Sequence, residues 1–148
     1  MNPASLAAFI CYALAALVSM AFGIIYLIRS QFMPYHQVAI GKAWQDLDKP
    51  LQALLLGLMR MVGGGLFSAG LSVAILLLIP YRAGEVWSLY AIPAIGIVTA
   101  ITALFATIFI RVRTGAHTPV VAGVISAGLL VLGFILSIIR HSPPPIYP

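Results

Sequence analysis

Four long apolar runs, at residues 4–28, 51–79, 87–110 and 119–139, constrain this chain more than any other feature. Each reaches the length of about 20 residues that a helix needs to cross roughly 30 Å of hydrocarbon. In that solvent every backbone N–H and C=O must be satisfied within the segment, so each run is expected to be a helix. Composition agrees: only 7% of the 148 residues are charged, too few to clothe a water-facing surface. The fold class expected is all-α, a single four-span membrane domain forming a four-helix bundle. The first run has no Lys or Arg before it and is too long for the apolar core of a cleavable signal, so it is read as a retained helix.

Lys and Arg in the short loops set the expected orientation. Arg29, Lys42, Lys49, Arg111 and Arg113 lie in or beside the first and third loops, against Arg82 and Arg140 on the other side. That bias places the first and third loops in the cytoplasm and both termini outside. Aromatics mark both interfaces, with Tyr81, Trp87 and Tyr90 on one side and Tyr26, Tyr35 and Trp44 on the other.

Lipid gives helices little hydrophobic reason to associate, so contact depends on small residues that let backbones approach. Each run carries such a stripe: Ala15, Ser19 and Gly23; Gly64, Ser68 and Ser72; Gly96, Ala100, Ala103 and Thr107; Ala122, Ser126, Gly133 and Ser137. The expected packing positions are Gly23, Gly64, Ser68, Gly96, Ser126 and Gly133. Residues 68–71 (Ser-Ala-Gly-Leu) recur at 126–129, which suggests two related hairpins, although chance produces such matches readily in apolar sequence.

The first loop alone has room for structure of its own. Pro34 can open a helix, and Ile40, Trp44 and Leu47 then share one face, so an amphipathic helix over residues 35–47 is expected to lie on the membrane surface. Asp48 is placed to cap the next helix, with Pro50 in its first turn. That helix is too long for the bilayer, so its first turns protrude or it bends at Gly63, Gly64 and Gly65. Arg60 stands about 20 residues before Pro80, near the inner hydrocarbon edge. Three readings stay open for it: snorkelling to the interface, an ion pair with Asp46 or Asp48, and a ligand-binding anion site with Tyr35 and His36.

No catalytic or metal constellation is evident. Glu85 lies on the side opposite Asp46 and Asp48, so no carboxylate pair can divide acid and base work. His36 and His117 fall in loops on one side and His141 on the other, an arrangement that suits solvated side chains better than haem or metal ligands. Cys11, the only cysteine, reads as a small core residue. No cofactor is expected. The charges are scattered, so nucleic acid is excluded as a partner and membrane lipid favoured. The tail at residues 141–148 is expected to run as polyproline II.

Two segments, Phe32-Met33-Pro34-Tyr35-His36 and Leu58-Met59-Arg60-Met61-Val62-Gly63-Gly64-Gly65, resemble a pattern in a family of small bacterial four-helix multi-pass membrane proteins. The resemblance implies a bacterial plasma (inner) membrane and four spans, and it carries no activity or functional residue with it. Three functions stand in order. The first is a non-enzymatic structural or accessory subunit, acting through homo-oligomer or larger-complex association. The second is a small-molecule or lipid carrier using Arg60, Tyr35 and His36. The third is a membrane enzyme acting on lipid or quinone.

Overall fold

A computed structural model describes residues 3–141, which form helices joined by loops. The helices are α1 (Pro3–Ile28), α2 (Pro34–Ile40), α3 (Lys49–Leu76), α4 (Ser88–Thr114) and α5 (Val120–His141). Four of them are long and apolar enough to span a membrane, over Ser5–Ile28, Lys49–Tyr81, Ser88–Thr114 and Val120–Ile139. They alternate in direction, so the loop at residues 29–48 and the loop at 115–119 share one end of the bundle, here the loop end. The tight turn at 82–87 marks the other, the turn end. The tail from residue 142, expected as polyproline II, lies outside the described residues, and α5 runs to His141.

Helix α1 is central, packing against α3 on one side and α5 on the other, while α5 also packs against α4. Antiparallel α1 and α3 approach most closely at two places. A Cβ at Gly23 would stand 2.6 Å from the Phe67 nitrogen and 2.9 Å from the Gly63 carbonyl oxygen, and one at Gly70 would stand 2.8 Å from the Ala16 oxygen. Gly63 and Gly70 are seven residues apart, as are Ala16 and Gly23, the repeat that keeps two helices in register along a left-handed seam. Between them the Ser19 hydroxyl donates to the Leu66 carbonyl at 2.8 Å. Elsewhere Gly96 seats Leu130 of α5, and Gly133 seats the ring of Tyr12.

The small stripe of α3 is therefore displaced from the one read in the sequence. Gly64 has nothing within 4 Å of where a Cβ would stand, and Ser68 is exposed with Ser72 bonded back to its carbonyl. One residue of register rotates a helical position by about 100°, and three consecutive glycines leave the choice to the partner helix. The echo between 68–71 and 126–129 has no structural counterpart either, because Gly70 is pressed against α1 whereas Gly128 has no neighbour within 4 Å.

Helix α3 continues unbroken through Gly63, Gly64 and Gly65, so the glycine run does not interrupt the helix. At its turn end it widens into a single π turn over Leu77–Tyr81. Pro80 sits inside this turn, where the missing N–H and the ring's bulk are accommodated by the looser hydrogen-bond spacing. At the loop end Asp48 precedes α3 with extended backbone but makes no side-chain cap.

The surface helix expected over 35–47 is cut short. Helix α2 stops at Ile40 because Gly41 turns left-handed (φ 71°) and its N–H bonds back to the Gln37 carbonyl at 2.9 Å, a closure for which glycine has no Cβ penalty. A 3-10 turn (Trp44–Asp46) follows, and Gln52 clamps it by donating to the carbonyls of Trp44 at 2.8 Å and Leu47 at 3.1 Å. Leu47 and Phe32 are buried with Tyr26 and Met59, and Trp44 packs on this cluster edge-to-face with Phe32 at 5.1 Å. Of the apolar face read as lipid-seeking, Trp44 and Leu47 are folded back onto the bundle while Ile40 stays exposed.

Candidate functional site

Between the four long helices lies a cavity of about 560 Å³, reaching from the level of Val73 and Leu130 to the loop end. Its opening follows from the exposure of its lining. Residues contributed by α1 and α5 are buried or half-buried, whereas Val62 and Gly65 on α3 and Val98, Thr102 and Ala106 on α4 are exposed, Val98 by 63%. Helices α3 and α4 pack together beside their connecting turn, where Val73, Leu77, Leu89 and Ile92 share the main core. Toward the loop end they leave a lateral cleft, and its exposed lips lie within two candidate spans.

The wall hydroxyls are mostly committed to backbone. Thr99 donates to the Ile95 carbonyl at 2.8 Å, Thr102 to Val98 at 3.0 Å and Thr107 to Ala103 at 2.9 Å, while Ser19 is held by Leu66. Bonded back to helical carbonyls in this way, Ser and Thr present mainly methyl and methylene groups. Ser126 is the exception among the described wall residues, half-buried and with no backbone carbonyl to hold it.

The polar end is the floor, built by α2. Tyr35 and His36 line the cavity there, with their rings 4.3 Å apart, and the Tyr35 hydroxyl is hydrogen-bonded to that of Tyr26 from α1. His36 occupies the third position of α2, where its Nδ1 accepts the Met33 N–H at 3.3 Å, the reach-back contact of a capping box. That bond leaves the proton of a neutral imidazole on Nε2. Burial lowers the His36 pKa below its ordinary value and so favours the neutral ring. Burial, and then the bond to Tyr26, raises that of Tyr35, which keeps the phenol protonated.

Arg60, placed with Tyr35 and His36 by sequence, is exposed on α3 and does not line the cavity. Among the described residues no ion pair joins it to Asp46 or Asp48, both exposed as well. Ser126, read as a packing residue, is part of the cavity wall, while Gly96 belongs both to that wall and to the contact with Leu130. The sequence reading missed Tyr26 as the partner of Tyr35 and missed the wall formed by Thr99, Thr102 and Ala106. A signal for that wall exists: α4 carries small residues on two adjacent faces, more than one helix contact can use. Among the described residues no three of His, Cys, Asp and Glu gather as a metal site would require. Comparison with protein-family models, with curated proteins and with solved structures finds no match to this chain.

Proposed function

We propose that this membrane protein is a non-enzymatic binding protein or carrier that takes an amphiphile from the bilayer through the α3–α4 cleft and holds its polar end at Tyr35 and His36. The observation that carries the reading is the direction of the opening. A cavity within the usual size of small-molecule sites, with apolar walls and exposed lips inside two spans, is accessible to a molecule already dissolved in lipid. The excess of Lys and Arg at the loop end supports a plasma-membrane setting with the floor toward the cytoplasm and the termini outside. Native mass spectrometry of the protein released from nanodiscs tests this. Wild-type protein is expected to carry a lipophilic adduct. Gly65→Trp, whose side chain would rise from a helical position with no neighbour within 4 Å and block a lip, is expected to lose it. Equal adduct content in both proteins overturns the proposal.

A second reading, association with a further copy or with a larger complex, draws on the outer face of α3. Gly57 and Gly64 have open space around them and Ser68 is exposed on the same side, a spacing that allows another helix to approach. Gly64→Leu is expected to shift the oligomer distribution toward monomer if that face is used, and an unchanged distribution removes this reading.

A further inference from the structure

We propose that the cleft selects an amphiphile whose polar end is an uncharged carbonyl oxygen, of the kind an alkylated benzoquinone carries, and that the Tyr26–Tyr35 hydroxyl pair and His36 donate the hydrogen bonds which recognise it. The inference rests on the reading of the cleft as a lipid-facing binding site and specifies its ligand class.

Three features lead to it. The first is charge. Among the described residues no Lys, Arg, Asp or Glu lines the cavity, and Arg60 is exposed elsewhere on α3. A phosphate or carboxylate head would enter without a counter-charge, and burying an unpaired anion is costly enough to exclude it in favour of a neutral head. The second is hydrogen-bond valence. In the Tyr26–Tyr35 pair one hydroxyl hydrogen is used between the rings and the other remains to be donated. On His36 the acceptor nitrogen is taken by the Met33 N–H, so the ring has only its Nε2–H to offer. The floor therefore presents two hydrogens left to donate, one from the tyrosine pair and one from His36, and a carbonyl oxygen has the two lone pairs to accept both. The third is polarity along the cleft. The wall threonines are bonded to their own helices, so apart from the Ser126 hydroxyl the route from lip to floor is suited to a hydrocarbon tail, and the paired Tyr and His donors stand where that tail ends.

The test must separate loss of recognition from loss of the α2 cap, because His36 performs both tasks. Gln and Glu at this position can each accept the Met33 N–H, as third-position residues of a capping box do. Only Gln also retains an N–H donor. Binding of decyl-benzoquinone, of decylbenzene and of a short-chain phosphatidate is measured by equilibrium dialysis against the detergent-solubilised full chain, for wild type, His36→Gln, His36→Glu, Tyr35→Phe and Gly65→Trp. Wild type is expected to bind the quinone at least tenfold more tightly than decylbenzene. His36→Gln should stay within about threefold of wild type, and His36→Glu should lose tenfold or more for the quinone and nothing for decylbenzene, a factor that corresponds to about 1.4 kcal/mol. Tyr35→Phe should weaken the quinone alone. Equal quinone affinity in the Gln and Glu variants, or tighter binding of phosphatidate than of quinone, overturns the carbonyl assignment while leaving the cleft in place. Quinone binding that Gly65→Trp does not diminish, or absence of binding of all three probes in wild type, overturns the cleft reading and this inference with it. Absence of quinone binding alone overturns only this inference.

Discussion

The two ends of the bundle differ in the residues that line them and in how they close. At the turn end Tyr12, Leu77 and Ile92 are fully buried or nearly so, Tyr81 meets Tyr12 edge-to-face at 6.0 Å, and its hydroxyl is 3.1 Å from that of Ser137 in the protein interior. At the loop end the space between α3 and α4 is lined by Ala, Gly, Thr and Ser, and it remains open. Small residues draw helices together only where backbones converge, as Gly23 and Gly63 do. Where two helices part away from their connecting turn, as α3 and α4 do, the same residues leave a void. The large tyrosines fill the first region and the small residues hollow the second.

This contrast can be broken at the seam on which both ends depend. Gly63→Leu would place a Cβ 2.8 Å from the Gly23 oxygen, a backbone atom with no room to yield. The expected cost is about 3 kcal/mol, read as a lowered unfolding midpoint by circular dichroism in detergent, and an unchanged midpoint would show that the α1–α3 approach is looser than described. At the closed end, Tyr81→Phe keeps the ring contact and removes the hydroxyl pair with Ser137. A loss of roughly 0.6–1 kcal/mol is expected from such a bond within a membrane bundle. The double variant with Ser137→Ala should cost little more than the single one, and full additivity would deny the pairing.

At the open end the prediction concerns pH. Burial holds the His36 pKa in the folded chain below its ordinary value of 6.5, so the unfolded state binds more protons in the interval between the two. The stability of the loop-end cap is therefore complete above about pH 6.5 and declines as pH falls toward the lowered value. Amide protection factors at residues 33–37 should fall as pH drops through that interval in wild type and not in His36→Gln. Protection factors, which remove the intrinsic pH dependence of exchange, that stay flat with pH in both would remove His36 from the cap. The smallest effect is expected at Gly64→Ala, one residue from the sensitive seam. With nothing within 4 Å of the new methyl group, the unfolding midpoint should correspond to a change within about 0.5 kcal/mol.

Most of the architecture was legible along the chain. Helix count, helix limits to within a few residues, and the presence of a short helix after Pro34 follow from runs of apolar residues and from the local chemistry of Pro and Gly. Of the proposed site, Tyr35 and His36 could be named but their surroundings could not. Arg60 drew attention because a charge in an apolar run is conspicuous, yet its direction depends on helix rotation, and the rotation of α3 is set by its contact with α1. The same dependence explains why Gly63 and not Gly64 meets α1, and why Trp44 and Leu47 turned inward once Gly41 ended α2.

The sequence alone determined that this chain lives in lipid and crosses it as helices, because the hydrocarbon core fixes segment length and forbids unpaired backbone, and both constraints act locally. Which faces of those helices meet, which small residues close a seam and which line a cleft, and where the Tyr26–Tyr35–His36 floor stands were decided only by the tertiary structure. Packing in a bilayer is a matter of fit between whole surfaces, and a rotation of one residue, invisible to hydropathy, exchanges one surface for another.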